Sequence, residues 1–283
     1  MMFTFKVEND RGELLNLSTS PDYTVYRIDG LTPPRATIST SANATMDGSS
    51  INNARVEKRN VVIYATINGN VESKRINLYK YFPVKRMVKL YFTNGTRETV
   101  IEGIVELIEC NPFSKKQVVQ ISIICPQPYF KNVDNFVTNF SDVNNLFEFP
   151  FSIPAESIEF SAITTNIRKS IINNGDVPTG ASIELFATGT VVNPVLYNVL
   201  KRTHLSLNFT MLPSDKIVIN TNVGEKSVTL IRSGVSTNIL GYMVHDSDWF
   251  TLESGDNVFT YDAESGNNNL RITFTTALLY SGV

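Results

Sequence analysis

The sequence predicts a mainly β protein: a β-sandwich-like N-terminal module with one helix, followed by a jelly-roll β-sandwich. Three observations carry this. Short runs of β-branched and aromatic residues recur at about ten-residue intervals between Gly, Pro, Asn and Asp turns, the spacing of an all-β domain. Asn and Thr are frequent while Leu and Ala do not dominate, which favours strands and turns over helices. One stretch, Glu72–Phe82, has a helical pattern. At 283 residues the chain suits one large or two ordinary domains, either able to bury a core without disulfides.

In the N-terminal half, Phe3, Phe5 and Val7 alternate with Thr4 and Lys6 as in a strand, and Asn9-Asp-Arg-Gly12 turns the chain back. Tyr23–Ile28 is a second strand, ended by Asp29-Gly30 and followed by Pro33-Pro34, which forbids regular pairing there. Residues 41–55 are Ser, Asn, Ala, Gly and Asp with few apolar members. They form a loop or hairpin arm, long enough to become ordered against a partner; Ser41, Asn43, Met46, Asp47 and Asn52 are its candidate contacts. Val61–Ile67 is almost continuously apolar and β-branched, as a central strand requires. In the helix, Ile76, Tyr79 and Phe82 recur at three-residue spacing beside Leu78 and predict the buried face, while Pro83 stops it. Val88–Phe92 and Thr96–Ile101 flank Asn94-Gly95, a tight hairpin turn. Gly103–Cys110 and Val118–Cys125 make a further antiparallel pair.

A domain boundary is expected at residue 131, with 1–131 and 132–283 as the two domains and 132–147 as linker. Beyond it come Phe147–Phe151, Ile158–Ile163, Ile167–Asn173, Ser182–Thr188, Thr203–Met211, Lys216–Asn220, Ser227–Arg232, Val258–Tyr261 and Leu270–Tyr280. The single tryptophan, Trp249, lies in Asp246-Ser-Asp-Trp-Phe250 and is expected to enter a core where two strands meet. The alternative is a sugar-stacking platform on Trp249, or on Tyr242 and Tyr261, with nearby Asp and Asn side chains, Asp248 among them, as hydroxyl partners.

Formal net charge is −2, and no basic cluster argues for nucleic acid or a membrane surface. The N-terminus lacks a signal-peptide pattern, and no apolar run approaches the ~20 residues of a membrane-spanning helix. Cys110 and Cys125 lie in adjacent strand-like segments; both are expected as reduced, partly buried thiols, with a bridge left open. His204 and His245 have no histidine partner at metal spacing, and His245 with Asp246 and Asp248 makes a weak ligand set. The odd separation of Glu106 and Glu109 places them on opposite faces of a strand, against paired acid–base work. No nucleophile elbow, phosphate loop or dinucleotide fingerprint occurs, so no enzyme, cofactor or metal is expected.

In the C-terminal half, Asn174-Gly-Asp-Val-Pro-Thr-Gly180, Ile183-Glu-Leu185, Asn193-Pro194, Gly224–Thr229, Ser247-Asp-Trp-Phe250, Ser254-Gly-Asp-Asn257 and Tyr280-Ser-Gly-Val283 follow one another in an order that resembles the phage distal tail protein (Dit) family. In the N-terminal half, Arg59 before Val61–Ile67, Arg75-Ile-Asn-Leu-Tyr79, Gly103 and Cys125-Pro-Gln-Pro-Tyr-Phe130 are similar to the family as well.

The resemblance implies an N-terminal domain that builds a hexameric ring, with a helix and an extended hairpin or belt at the subunit contact. The ring would join the tail tube protein to the tail-associated hub or lysin protein, in the virion tail tip. It also implies a galectin-like C-terminal domain that projects outward, where receptor-binding proteins or side fibres dock. The same fold serves in phage-tail-like bacteriocins. The chain has no room for the inserted carbohydrate-binding modules of longer members. A lectin-like host-adhesion protein is the competing reading.

Overall fold

The computed structural model describes residues 3–42, 47–113, 117–145, 161–165 and 168–283. They form two compact units: residues 1–133 together with 279–283, and residues 134–278.

The first unit is built from β1 (Thr4–Glu8), β2 (Leu14–Asn16), β3 (Tyr23–Asp29), β4 (Ala36–Ala42), β5 (Ser49–Val56), β6 (Arg59–Ile67), α1 (Val71–Tyr81), β7 (Met87–Asn94), β8 (Arg97–Cys110), β9 (Val118–Cys125) and β10 (Phe130–Asn132). All of these strands but β4 and β5 join one antiparallel sheet along the path β2-β1-β7-β8-β9-β6-β3, with β10 paired to β8. The alternation of β1, β6, β7 and β9 sends Phe5, Val7, Val61, Ile63, Leu90, Phe92, Ile121 and Ile123 to one face, all buried. Phe92 anchors this core, stacked on Phe5 at 4.8 Å and meeting Phe130 edge-on at 5.6 Å.

The helix starts where Asn70 accepts from the Ser73 amide, and Leu78 is its buried residue. Phe82, just past its end, is also buried, and the Tyr23 hydroxyl donates to the Lys74 carbonyl at 2.9 Å. The three-residue spacing misplaced one member of the expected face: Ile76 is 49% exposed. Three residues advance about 300° around a helix, so a strict three-residue row drifts off the buried stripe.

The expected opposite placement of Glu106 and Glu109 is also corrected. β8 carries a bulge between Val105 and Leu107, which leaves Glu106 and Leu107 both exposed. The extra residue reverses the later alternation, so both carboxylates share the outer face. Glu106 accepts there from Ser122 Oγ at 2.9 Å. The thiols are free: Cys125 is buried against Gly103, and Cys110 lies seven residues further along β8, roughly 23 Å away at the strand rise. That distance forbids a bridge within the chain.

The second unit contains β11 (Phe136–Asn139), β12 (Ser141–Asn145), β13 (Ser161–Thr165), β14 (Arg168–Asn173), β15 (Ser182–Ala187), β16 (Val191–Asn198), β17 (Thr203–Ser206), β18 (Thr210–Met211), β19 (Lys216–Asn220), β20 (Ser227–Arg232), β21 (Val235–Asn238), β22 (Gly255–Ser265) and β23 (Leu270–Thr276). A six-stranded sheet, β11-β23-β15-β19-β20-β21, and a five-stranded sheet, β14-β22-β16-β17 with β18 beside β16, enclose one core. Ile183, Leu185, Ile217, Ile219 and Phe274 from the first meet Ile171, Leu196, Phe259 and Tyr261 from the second. The expected strand over Phe147–Phe151 lies outside the described residues. Much of the stretch read as linker is strand instead, in β10, β11 and β12.

The last five residues are a second correction to the expected domains. β24 (Leu279–Tyr280) pairs antiparallel with β10, so residues 279–283 belong to the first unit. The second unit is thus inserted between two paired strands of the first.

Asp215 is an internal support of the second unit. Its buried carboxylate accepts from Arg232 Nε at 2.8 Å and Nη2 at 2.5 Å, and from the Leu212 amide at 2.7 Å. Arg232 foremost, and the Leu212 amide, hold the carboxyl below its ordinary value against the opposing effect of burial. A depressed folded pKa contributes stability above the unfolded pKa of about 3.9, lost as pH falls through the folded value. We expect Asp215→Asn to destabilise the second unit by about 1–2 kcal/mol at pH 7, at the low end for charged hydrogen bonds because Arg232 is 42% exposed. Thermal melts from pH 7 to 2.5 should show the variant and the parent converging as the solution is acidified.

Candidate functional site

The feature of the first unit that its own core does not explain is the β4–β5 hairpin. It forms a two-stranded sheet of its own, and every residue of both strands is exposed. Its register runs from Ala36↔Val56 to Ala42↔Ser49, with a shift between Ser39 and Thr40. Residues opposite each other share a face, and so do alternate residues. Ala36, Val56, Ile38, Ala54, Thr40 and Ile51 therefore lie on one face; Thr37, Arg55, Ser39, Asn53, Ser41 and Ser50 lie on the other.

The bulge produces this segregation. Ile51 and Ala54 are three apart and would alternate to opposite faces in a regular strand. Asn52 is the extra residue that returns Ile51 to the apolar side. The result is an amphipathic arm with Ile38 57% and Ile51 71% exposed.

Of the residues expected as arm contacts, Ser41 donates to Asn52 Oδ1 at 3.1 Å, across the polar side, and Asp47 is exposed near the tip. Asn43 and Met46 lie outside the described residues. The apolar residues that define the arm, Ile38, Ile51 and Val56, were not among those expected, because their common face depends on the bulge.

The root of the arm is fixed by Arg59, the first residue of β6 and 3% exposed. Its guanidinium donates to the carbonyls of Pro128 (2.6 Å), Gly30, Thr32 (2.7 Å) and Ser281 (2.7 Å), and lies 4.5 Å above the Phe130 ring. Burial pulls its pKa below the ordinary arginine value. The Cys125 thiol beside it is pushed up to about 12 by burial, partly offset by Arg59, so it is a protonated thiol at neutral pH. Gly30 needs its φ of +86°, and a Cβ there would come within 2.2 Å of the Asn60 carbonyl oxygen.

The residues expected as sugar platforms lie in different surroundings. Tyr261 is 2% exposed and packs edge-on to Phe140 at 5.9 Å, so its ring is a core element; burial raises its pKa. The alternation of β22, which buries Phe259 and Tyr261 together, puts it there. Trp249 is half-buried against the core, with Lys226 Nζ 5.4 Å over its ring. Tyr242 is exposed and meets Phe209 edge-on at 5.2 Å; Asp248 is exposed, its amide donating to the His204 carbonyl at 2.7 Å. Asp246 lies 3.5 Å from His204 Nε2, so the acidic stretch is tied to His204 rather than gathered on His245. Among the described residues no group of three or more His, Cys, Asp or Glu side chains could hold a metal ion. No helix among them is long and apolar enough to cross a membrane.

With this geometry, comparison with known proteins is specific. Residues 174–277 match the family model of the siphovirus-type tail component, C-terminal domain. The structure is similar to the crystal structure of SPP1 Dit, described as a paradigm of the hub adsorption apparatus in phages infecting Gram-positive bacteria. The TM-score is 0.70 at 13% identity, over 97% of this chain and 98% of that one. It is also similar to chains of the phage P2 baseplate in its activated conformation. The calcium form gives a TM-score of 0.56 at 10% identity over all of both chains. The strontium form gives 0.51 at 10% identity over 98% of both. No curated protein sequence matches the chain.

Proposed function

We propose that this chain, which belongs to the siphovirus distal tail protein (Dit) family, forms a hexameric ring at the phage tail tip through its β4–β5 arm. Its role as a phage tail and baseplate hub component is the premise; the ring, its partners and its contacts are the proposal. The observation that carries it is the arm: a two-stranded hairpin with one apolar and one polar face, whose strands pair with no third strand among the described residues. Such a hairpin is at best marginally stable in water and gains its order by laying the apolar face on another surface. The occupant of that face is a second copy of this chain, because a closed ring satisfies every arm with identical contacts and leaves none over.

In this reading the first unit is the ring former. The ring joins the tail tube protein on one side to the tail-associated hub or lysin protein on the other. The second unit offers the docking surface for receptor-binding proteins or side fibres, and the chain resides in the virion. The same assembly fits a phage-tail-like bacteriocin. The role requires positioned surfaces and no covalent chemistry, so the chain is read as a non-enzymatic structural protein.

The experiment that tests the ring is class-averaged electron microscopy of the purified protein. Six-fold rings support the reading, and particles with no rotational symmetry at any concentration oppose it. A lectin role has a separate test in Trp249. Its half-buried ring is already covered by Lys226. Host wall polysaccharide is therefore expected to leave Trp249 emission unchanged throughout a titration. A saturable shift, abolished in Trp249→Phe, would give the second unit a glycan site.

A further inference from the structure

The segment that leads from β3 into the arm, residues 30–35, has no strand pairing of its own, and Pro33-Pro34 removes two of its amide donors. Its position is set instead by residues far away in sequence. Gly30 and Thr32 give their carbonyls to Arg59, which stands at the head of the strand after the arm. The Val283 amide donates to the Leu31 carbonyl at 3.1 Å. Gly282 packs so closely that a Cβ there would lie 3.0 Å from the Leu31 oxygen and 3.3 Å from Pro33 Cδ.

The last residues are themselves held on both sides. β24 pairs with β10, and Arg59 Nη2 takes the Ser281 carbonyl. Arg97 Nη1 takes the Gly282 carbonyl at 2.9 Å, with its guanidinium 4.2 Å over the Tyr280 ring. One buried guanidinium thus joins the outgoing root, the return root and the tail. Four of its five N–H groups are committed to backbone carbonyls rather than to a carboxylate.

We propose that residues 279–283 are a latch on the root of the β4–β5 arm: through Arg59 and Arg97 they fix the direction in which the arm leaves the first unit. The latch strand is also where the chain returns from the inserted second unit. A rearrangement that draws on β24 therefore reaches the arm root before it reaches the sheet core. The latch rests on contacts within the first unit and does not depend on the ring reading. Within that reading it orients the arm for its neighbour.

Hydrogen–deuterium exchange on the full chain tests it, comparing the parent with a variant lacking Ser281–Val283. Peptides covering 27–42 and 49–57 are expected to exchange about tenfold faster in the variant, while those covering β7, β8 and β9 keep the parent rates. Gly282→Leu, which crowds Leu31 and Pro33 without removing a donor, is a second route. It should give the same local pattern. Unchanged exchange at 27–57 in either folded variant would overturn the latch. So would a uniform rise over the whole first unit, which would make the tail a general support rather than a device of the arm.

Discussion

Ile38→Asp combined with Ile51→Asp is expected to convert the assembled protein to monomer at every concentration measured, with both units still folded. The two residues share the apolar face of the arm and are exposed in the single chain, so charging them removes no packing within it. Full burial of an isoleucine side chain is worth roughly 1.5–3 kcal/mol, and each carboxylate introduced into an apolar contact adds a desolvation cost. Applied at each of the repeated contacts of a ring, that loss exceeds what a closed assembly tolerates. Sedimentation velocity reads the outcome directly. Thr37→Asp and Ser39→Asp, on the opposite face, are the controls and should leave assembly intact. If the polar-face changes dissociate the protein and the apolar-face changes do not, the orientation assigned to the arm is wrong.

The second large effect is expected in the first unit's stability. Arg59→Met keeps the aliphatic bulk over Phe130 but leaves the carbonyls of Gly30, Thr32, Pro128 and Ser281 without their common donor. Unsatisfied buried acceptors cost about 1–3 kcal/mol apiece before relaxation. Some of the four will find water, and a desolvated guanidinium is removed at the same time. A net loss of about 3 kcal/mol follows, enough to lower the first unit's melting temperature by roughly 10 °C. Calorimetry should show that transition moving while the transition of the second unit stays in place. Arg59→Lys is expected to behave almost as badly, because an ammonium cannot present a planar fork to four acceptors. A lysine variant with the parent's stability would mean that charge, and not the shape of the fork, holds the root.

The parts legible in the sequence were those decided locally. Alternation marked β1, the almost continuous apolar run Val61–Ile67 marked β6 as a central strand, Pro33-Pro34 marked an interruption, and Pro83 marked the helix end. The mainly β fold follows from such signals. What was hidden depends on register or on distant pairing. Residues 41–55 read as a loop or hairpin arm, but Ile38 before them and Ile51 within them are too sparse to announce an amphipathic face. Only the Asn52 bulge places them on one face. A bulge likewise reversed the expected sides of Glu106 and Glu109. Residues 279–283 are too short to reveal that β24 returns to β10 across the whole inserted unit. Arg59 stood out in the family resemblance, but its role comes from acceptors up to 222 positions away. Tyr261, expected as a candidate sugar platform, is turned inward with Phe259 by the alternation of β22 and is a core ring instead.

The central claim is that this chain closes into a ring of six. It is tested most directly by the mass of the unaltered protein, measured by light scattering over a concentration series. The account predicts a species of six times the chain mass that grows in with concentration and stops there, since a closed ring has no free arm left to extend it. A chain that stays monomeric up to its solubility limit, or one that passes six copies and polymerises without bound, would contradict it.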